Sequence, residues 1–335
     1  MKCALILMTH LAFLTLLFEP SRAQHGEQLD AQSDATELVL AQQPGGEAEF
    51  AVTPNTIRIQ STDSPKNGSW VVVPGFSELG SPCLSRDGNW IAFDGYRNGF
   101  KNSSAETWIA RRDGLEPVRV ASGATPRWSP DGTQLLFCRA KVDDPGSEKG
   151  IFLIDRDGSN ERRIGEGRWP DWSPDGKQIV YSLGGEETGG ARVGARIYIS
   201  NLDGSGRREI SEGDCPSWSP DGQKIAFCAR RLNRTYQICV RDLQKKRTLT
   251  LGVGWYRANW TPDSKFVVAN GLIGRKVGMV RLLVAAPSRT TEFSTEFEEP
   301  ASPCVSWDGK QIVFIAKRPK SETLAPRGRA ITARQ

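Results

Sequence analysis

Histidine is almost missing from this 335-residue chain: there are two, His10 and His25, both ahead of residue 30. The remainder has no imidazole, which excludes a Ser-His-Asp triad, a histidine general base or a histidine metal site there. A second long apolar run is also missing, which excludes a polytopic membrane protein. No Cys-x-x-Cys spacing occurs, so a zinc or redox centre lacks support, and neither metal nor cofactor is expected. Glycine and proline, by contrast, are plentiful. With 34 Gly and 20 Pro, about one residue in six is a turn former, which disfavours long helices and favours short strands. The 38% hydrophobic and 25% charged content excludes a wholly disordered chain.

Both ends differ from the middle. Lys2 precedes an apolar run, Ala4 to Phe18, broken only by Thr9 and His10 and ended by Glu19-Pro20. Ser21-Arg22-Ala23 then supplies small residues for cleavage after Ala23, so residues 1–23 read as a secretory signal. The run is too short to span a bilayer, and no transmembrane span is expected after cleavage. Residues 24–50 hold Glu27, Asp30, Asp34, Glu37, Glu47 and Glu49 with no Lys or Arg, an acidic leader too polar to order itself. From residue 51 onward, 42 basic residues stand against 32 acidic ones. Residues 319–335 form a basic tail that could attract an anionic surface but reads first as a solvated terminus. Export implies a periplasmic or secreted protein.

Between 51 and 318 the chain repeats. Trp128-Ser-Pro-Asp-Gly132, Trp172-Ser-Pro-Asp-Gly176 and Trp218-Ser-Pro-Asp-Gly222 each precede an apolar alternation such as Gln134-Leu-Leu-Phe137. Weaker copies lie at Leu84 to Gly88, Trp260 to Ser264 and Val305 to Gly309. Their aspartates, Asp87, Asp131, Asp175, Asp221, Asp263 and Asp308, are spaced by 44, 44, 46, 42 and 45 residues. A period in the forties with strand-like alternation predicts an all-β, six-bladed β-propeller, one four-stranded sheet per repeat. In Ser-Pro-Asp-Gly, proline presets φ, Asp suits the second central position and Gly accepts positive φ, so the aspartates read as turn residues rather than metal ligands. The repeated Trp reads as a wedge between blades. The sixth copy supplies two strands only; Thr56–Gln60 and Trp70–Val73 are available to complete its sheet and close the ring.

One position varies where the rest repeat. The residue between Pro and Trp reads Cys83, Arg127, Asp171, Ser217, Asn259 and Cys304 around the ring, odd choices for an apolar core. These are expected to line a channel, with Arg127, Asp171, Ser217 and Asn259 as candidate ligand or partner contacts and an Arg127–Asp171 ion pair between blades. Cys215 and Cys228 flank one hairpin in a register that would set them opposite, a candidate disulfide, with Cys239 as a rival partner and free thiols as the alternative. Paired arginines (111/112, 162/163, 207/208, 230/231) fall on different blades with no stacking platform, so nucleic acid is not an expected partner.

The Pro-x-Trp-Ser-Pro-Asp-Gly-x-x-Ile-Ala-Phe unit, at Pro170 to Tyr181 and Pro216 to Phe227, resembles the repeat of TolB-type (PD40, WD40-like) six-bladed propellers over about 55 to 318. In TolB the propeller is periplasmic and binds a peptidoglycan-associated lipoprotein at one face, while a preceding α/β domain contacts the Tol machinery; only the acidic leader precedes the first strand here. The resemblance implies a monomeric, non-catalytic binding or scaffold module meeting a lipoprotein or Tol-type envelope component. The alternative is a histidine-independent carbohydrate-active enzyme or glycan-binding propeller, which two free carboxylates in the channel and stabilisation by sugars would favour.

Overall fold

The structure, a computed structural model, describes residues 55–317 apart from 63–67, 72, 74, 98–104, 140–147, 189–190, 231–235, 274–275, 288–289 and 295–297. The signal, leader and basic tail read from the sequence lie outside the described residues.

All regular structure among the described residues is strand. β1 (Asn55–Ser61) and β2 (Gly68–Val71) come first. The first blade follows as β3 (Glu78–Leu84), β4 (Trp90–Tyr96), β5 (Glu106–Arg111) and β6 (Val118–Ser122). The second is β7 (Ala124–Trp128), β8 (Gln134–Arg139), β9 (Gly150–Asp155) and β10 (Arg162–Gly165). The third is β11 (Arg168–Trp172), β12 (Gln178–Thr188), β13 (Ala191–Asn201) and β14 (Arg208–Glu212). The fourth is β15 (Asp214–Trp218), β16 (Lys224–Arg230), β17 (Tyr236–Asp242) and β18 (Thr248–Val253). The fifth is β19 (Trp255–Trp260), β20 (Phe266–Ile273), β21 (Lys276–Leu283) and β22 (Thr290–Ser294). The last two strands, β23 (Glu298–Val305) and β24 (Gln311–Lys317), share a sheet with the first two in the order β2-β1-β24-β23. Six antiparallel four-stranded sheets thus form six blades, and the closure expected from the strand count is the one observed.

The core lies between blades rather than within any one. Along β8, Leu135 and Phe137 pack with the first blade's Ala92, Ile109 and Val120, while Leu136, on the opposite face, packs with Trp172, Ile179 and Tyr181 of the third. The same alternation carries Val180 to the fourth blade and Ala226 to the fifth. A period of two with both faces apolar is what a sheet buried on both sides requires. Outer strands have no such second neighbour: Arg162, Arg163, Arg208 and Glu209 are exposed. Each repeated Trp sits in an inter-blade gap, and the indole N–H of Trp128, Trp172 and Trp260 donates to the backbone carbonyl of Cys83, Arg127 and Ser217 in the preceding blade, at 3.3, 3.2 and 3.1 Å. Burying an indole while satisfying its N–H is the favourable use of Trp in a core.

Each hairpin between the first and second strand of a blade is closed by the same network. The Ser129 hydroxyl donates to Asp131 Oδ1 at 2.6 Å and accepts the Gln134 amide at 2.9 Å, while the Gly132 amide donates to the Ser129 carbonyl. Ser85, Ser173, Ser219, Thr261 and Ser306 repeat the hydroxyl-to-aspartate bond. The six aspartates are therefore turn residues, as expected, and five of the turns end in a glycine of positive φ (71–75°). The fifth turn uses Ser264 at φ 56° instead, and its hydroxyl accepts the Asp221 amide of the fourth blade at 3.0 Å.

Candidate functional site

The innermost strands β3, β7, β11, β15, β19 and β23 surround one axis, and a cavity of about 110 Å³ opens there. Its lining brings together all six variable positions, Cys83, Arg127, Asp171, Ser217, Asn259 and Cys304, with the turn prolines Pro130, Pro174, Pro220 and Pro262 at one end. Where four turns have proline, the sixth has Trp307 and the first has Arg86; Trp307 is 37% exposed, and the Arg86 guanidinium lies over its ring at 5.3 Å while Nη1 donates to the Pro130 carbonyl at 2.9 Å.

Three of the six ring members are engaged with the next blade. The Cys83 thiol donates to the Pro126 carbonyl at 3.3 Å, Asp171 Oδ2 accepts the Trp218 amide at 3.0 Å, and Asn259 Nδ2 donates to the Pro303 carbonyl at 2.5 Å. Asp171 is thereby used in joining two blades, and it does not come within the 4.0 Å ion-pair distance of Arg127, correcting the sequence expectation. The inter-blade ion pair lies three positions earlier on the strands, where Arg168 Nη2 meets Asp214 Oδ2 at 3.3 Å and the Ser182 hydroxyl donates to Asp214 Oδ1.

The innermost strands are also irregular in register. Every innermost strand shifts register just before its ring residue. In five blades the residue before the proline, Ser81, Thr125, Trp169, Cys215 or Ser302, is left-handed, with φ between 44 and 59°. The inserted residue places Asp214, not Cys215, opposite Cys228; both thiols are free, so the candidate Cys215–Cys228 disulfide is absent, and Cys239 is free as well. In the fifth blade the corresponding place holds Arg257, with no proline after it.

Arg257 was not singled out from the sequence, although the broken Pro-x-Trp unit at Arg257-Ala-Asn-Trp260 marks it. Its side chain crosses to the third and fourth blades. Nη2 donates to the Pro170 carbonyl and Nε to the Pro216 carbonyl at 3.4 Å, with the guanidinium 5.7 Å from the Trp169 ring centre. Burial and the charge of Arg127 push its pKa down to about 10. Burial also pushes the Cys83 thiol up to about 12, against the pull of Arg127, and raises Cys215 and Cys304. These thiols are neutral at pH 7 and poor nucleophiles. The lining contains one carboxylate, Asp171, whereas glycoside hydrolysis uses a pair.

Six closed blades about a lined axis define a β-propeller, and TolB proteins are among those whose fold it shares. The chain superposes on a putative TolB from Agrobacterium tumefaciens with a TM-score of 0.61 at 18% identity, over 79% of this chain and 99% of that one. It superposes on TolB from Acinetobacter baumannii with 0.53 at 17% identity, covering 80% of this chain and 64% of that one, less than two thirds of its length. Hydrazine synthase from Kuenenia stuttgartiensis gives 0.51 at 14% identity over 78% of this chain and 89% of that one. At such identities the likeness establishes the fold alone. No protein-family model and no curated protein sequence matches the chain.

Proposed function

We propose that the protein is an exported, non-catalytic propeller that binds another cell-envelope protein, a lipoprotein or Tol-type component, through the face bearing the Ser-Pro-Asp-Gly turns. The observation that carries this reading is the mouth of the channel. Half-buried Pro174, Pro220 and Pro262 surround it, and the exposed Trp307 is held in place by Arg86. Tryptophan and arginine beside a desolvated pocket are the residue types that dominate binding energy at protein interfaces. The neighbouring TolB proteins support an envelope location. Among the described residues that line the channel, the buried thiols are neutral and the one carboxylate is engaged, which favours the binding reading over the glycan-hydrolysing alternative.

The test is crosslinking and pull-down from envelope extract with the mature chain, its Trp307→Glu and Arg86→Glu variants, and a chain lacking 319–335, with retained proteins identified by mass spectrometry. A named envelope protein retained by the native chain and lost in both face variants, with folding unchanged by circular dichroism, is the expected result. Retention indifferent to both substitutions would remove this face from the reading, and retention lost only with the tail would move binding there.

A further inference from the structure

We infer that the axial channel binds a compact oxyanion, carboxylate- or phosphate-sized, held directly by Arg127 with the positive charge of Arg257 behind it. This inference is independent of the protein-binding reading above.

Two guanidinium groups are buried near the axis, with Arg127 8% and Arg257 3% exposed. Neither is matched to its surroundings. Arg127 Nη1 reaches only its own neighbour's carbonyl, Pro126, at 3.3 Å, and the group shares a bond with the neutral Cys83 thiol; Nε finds no acceptor among the protein's groups. Arg257 gives Nε and Nη2 to two backbone carbonyls, and its Nη1 has no acceptor. Buried donors of this kind are almost always paired, and a buried cation left without a counter-charge is costly.

The nearby carboxylates do not fill that role. Asp171 lines the cavity and its charge acts on both guanidinium groups from a distance, but its Oδ2 is taken by the Trp218 amide. Asp94 is buried in the first blade, where its Oδ1 takes the Thr125 amide, and burial pushes its carboxyl toward the neutral form. Among the described residues, neither forms an ion pair within 4.0 Å of Arg127 or Arg257. Arg127 lines the cavity, and a planar guanidinium fork matches an oxyanion in geometry as well as charge. A volume of about 110 Å³ admits a phosphate or a carboxylate group.

The purified mature protein would be titrated at constant ionic strength with inorganic phosphate, with acetate, and with a tripeptide Ala-Glu-Ala blocked at both ends. Melting temperature and calorimetric heat would both be read. Expected is a saturable rise in melting temperature with a dissociation constant in the millimolar range or tighter, weakened at least tenfold in Arg127→Gln. Phosphate or acetate acting alone would assign a free ion; the tripeptide acting as well would assign a side-chain carboxylate delivered by a polypeptide. Arg257→Met is expected to raise the melting temperature in plain buffer, since it removes a buried cation facing another, and to weaken anion binding. No saturable response of the native protein to any of the three, or equal affinity in the native and Arg127→Gln proteins, overturns the inference. The first of these outcomes needs no variant to fold.

Discussion

The rim turns and the channel ring lie a few residues apart on the same chain segments, yet they follow opposite rules. At the rim, six turns repeat one hydroxyl–carboxylate–amide network with near-identical distances. In the ring, the six equivalent places hold two cysteines, an arginine, an aspartate, a serine and an asparagine, with differing bonds. A turn is a local problem with one good solution, so every blade converges on it. A side chain facing the axis has different neighbours in each blade and is free to differ, and chemical individuality therefore concentrates there.

Substitutions that serve the repeat should cost stability, and those at the mouth should not. The largest effect is expected from Trp172→Ala, which empties an inter-blade wedge and leaves the Arg127 carbonyl without its indole donor; ~3–5 kcal/mol should be lost in urea unfolding. Trp307→Ala, by contrast, should change stability by no more than ~0.5 kcal/mol, and a cost as large as that of Trp172→Ala would erase the distinction between rim and mouth.

Gly213→Ala comes next. Gly213 has φ 151°, and a Cβ there would lie 2.5 Å from Phe227 Cδ2, so about 2 kcal/mol should be lost by the same measurement. Ser219→Ala removes a buried hydroxyl that donates to Asp221 and accepts the Lys224 amide, with an expected cost of about 1–2 kcal/mol.

Acid should act on all six turns together. The Ser129, Ser173 and Ser306 hydroxyls hold the carboxyls of Asp131, Asp175 and Asp308 below the ordinary value of 3.8. These groups bind protons more readily unfolded than folded, so their stabilisation is present above pH 3.8 and is lost as pH falls through the lower folded values. A melting temperature that drops across that window, less steeply in Ser129→Ala, would bear this out. The smallest effect belongs to Ser264→Gly, where relief of positive φ and loss of the bond from the Asp221 amide oppose each other; a net change within ~1 kcal/mol is expected, with Ser264→Ala clearly worse.

Much of this was legible in the residues. The period located the blades, the count of strands predicted that Thr56 and Trp70 would complete the last one, and the varying residue between Pro and Trp marked the cavity wall. What escaped was register. Pairing Cys215 with Cys228 assumes an unbroken ladder, whereas five of the innermost strands insert a left-handed residue, and pairing Arg127 with Asp171 overlooks the backbone amide of Trp218 that takes the carboxylate. The left-handed conformation is taken by Ser, Thr, Trp and Cys alike, so residue type does not announce it. Arg257 escaped for another reason: it comes from the one blade that lacks the proline before the ring residue, and its partners are backbone carbonyls of two other blades that no pattern of residue types reveals.

The shared last blade also sets an order in time. Thr62 bonds to Gly309 across 247 positions of chain, and closing a loop of that length rather than one repeat costs ~1.5 kcal/mol more in chain entropy. During synthesis β1 and β2 emerge first and their partner β24 last. Five blades can assemble as an open arc while the first strands still present a bare edge. Until the final strand leaves the ribosome, that edge is where the nascent chain is most open to pairing with another copy.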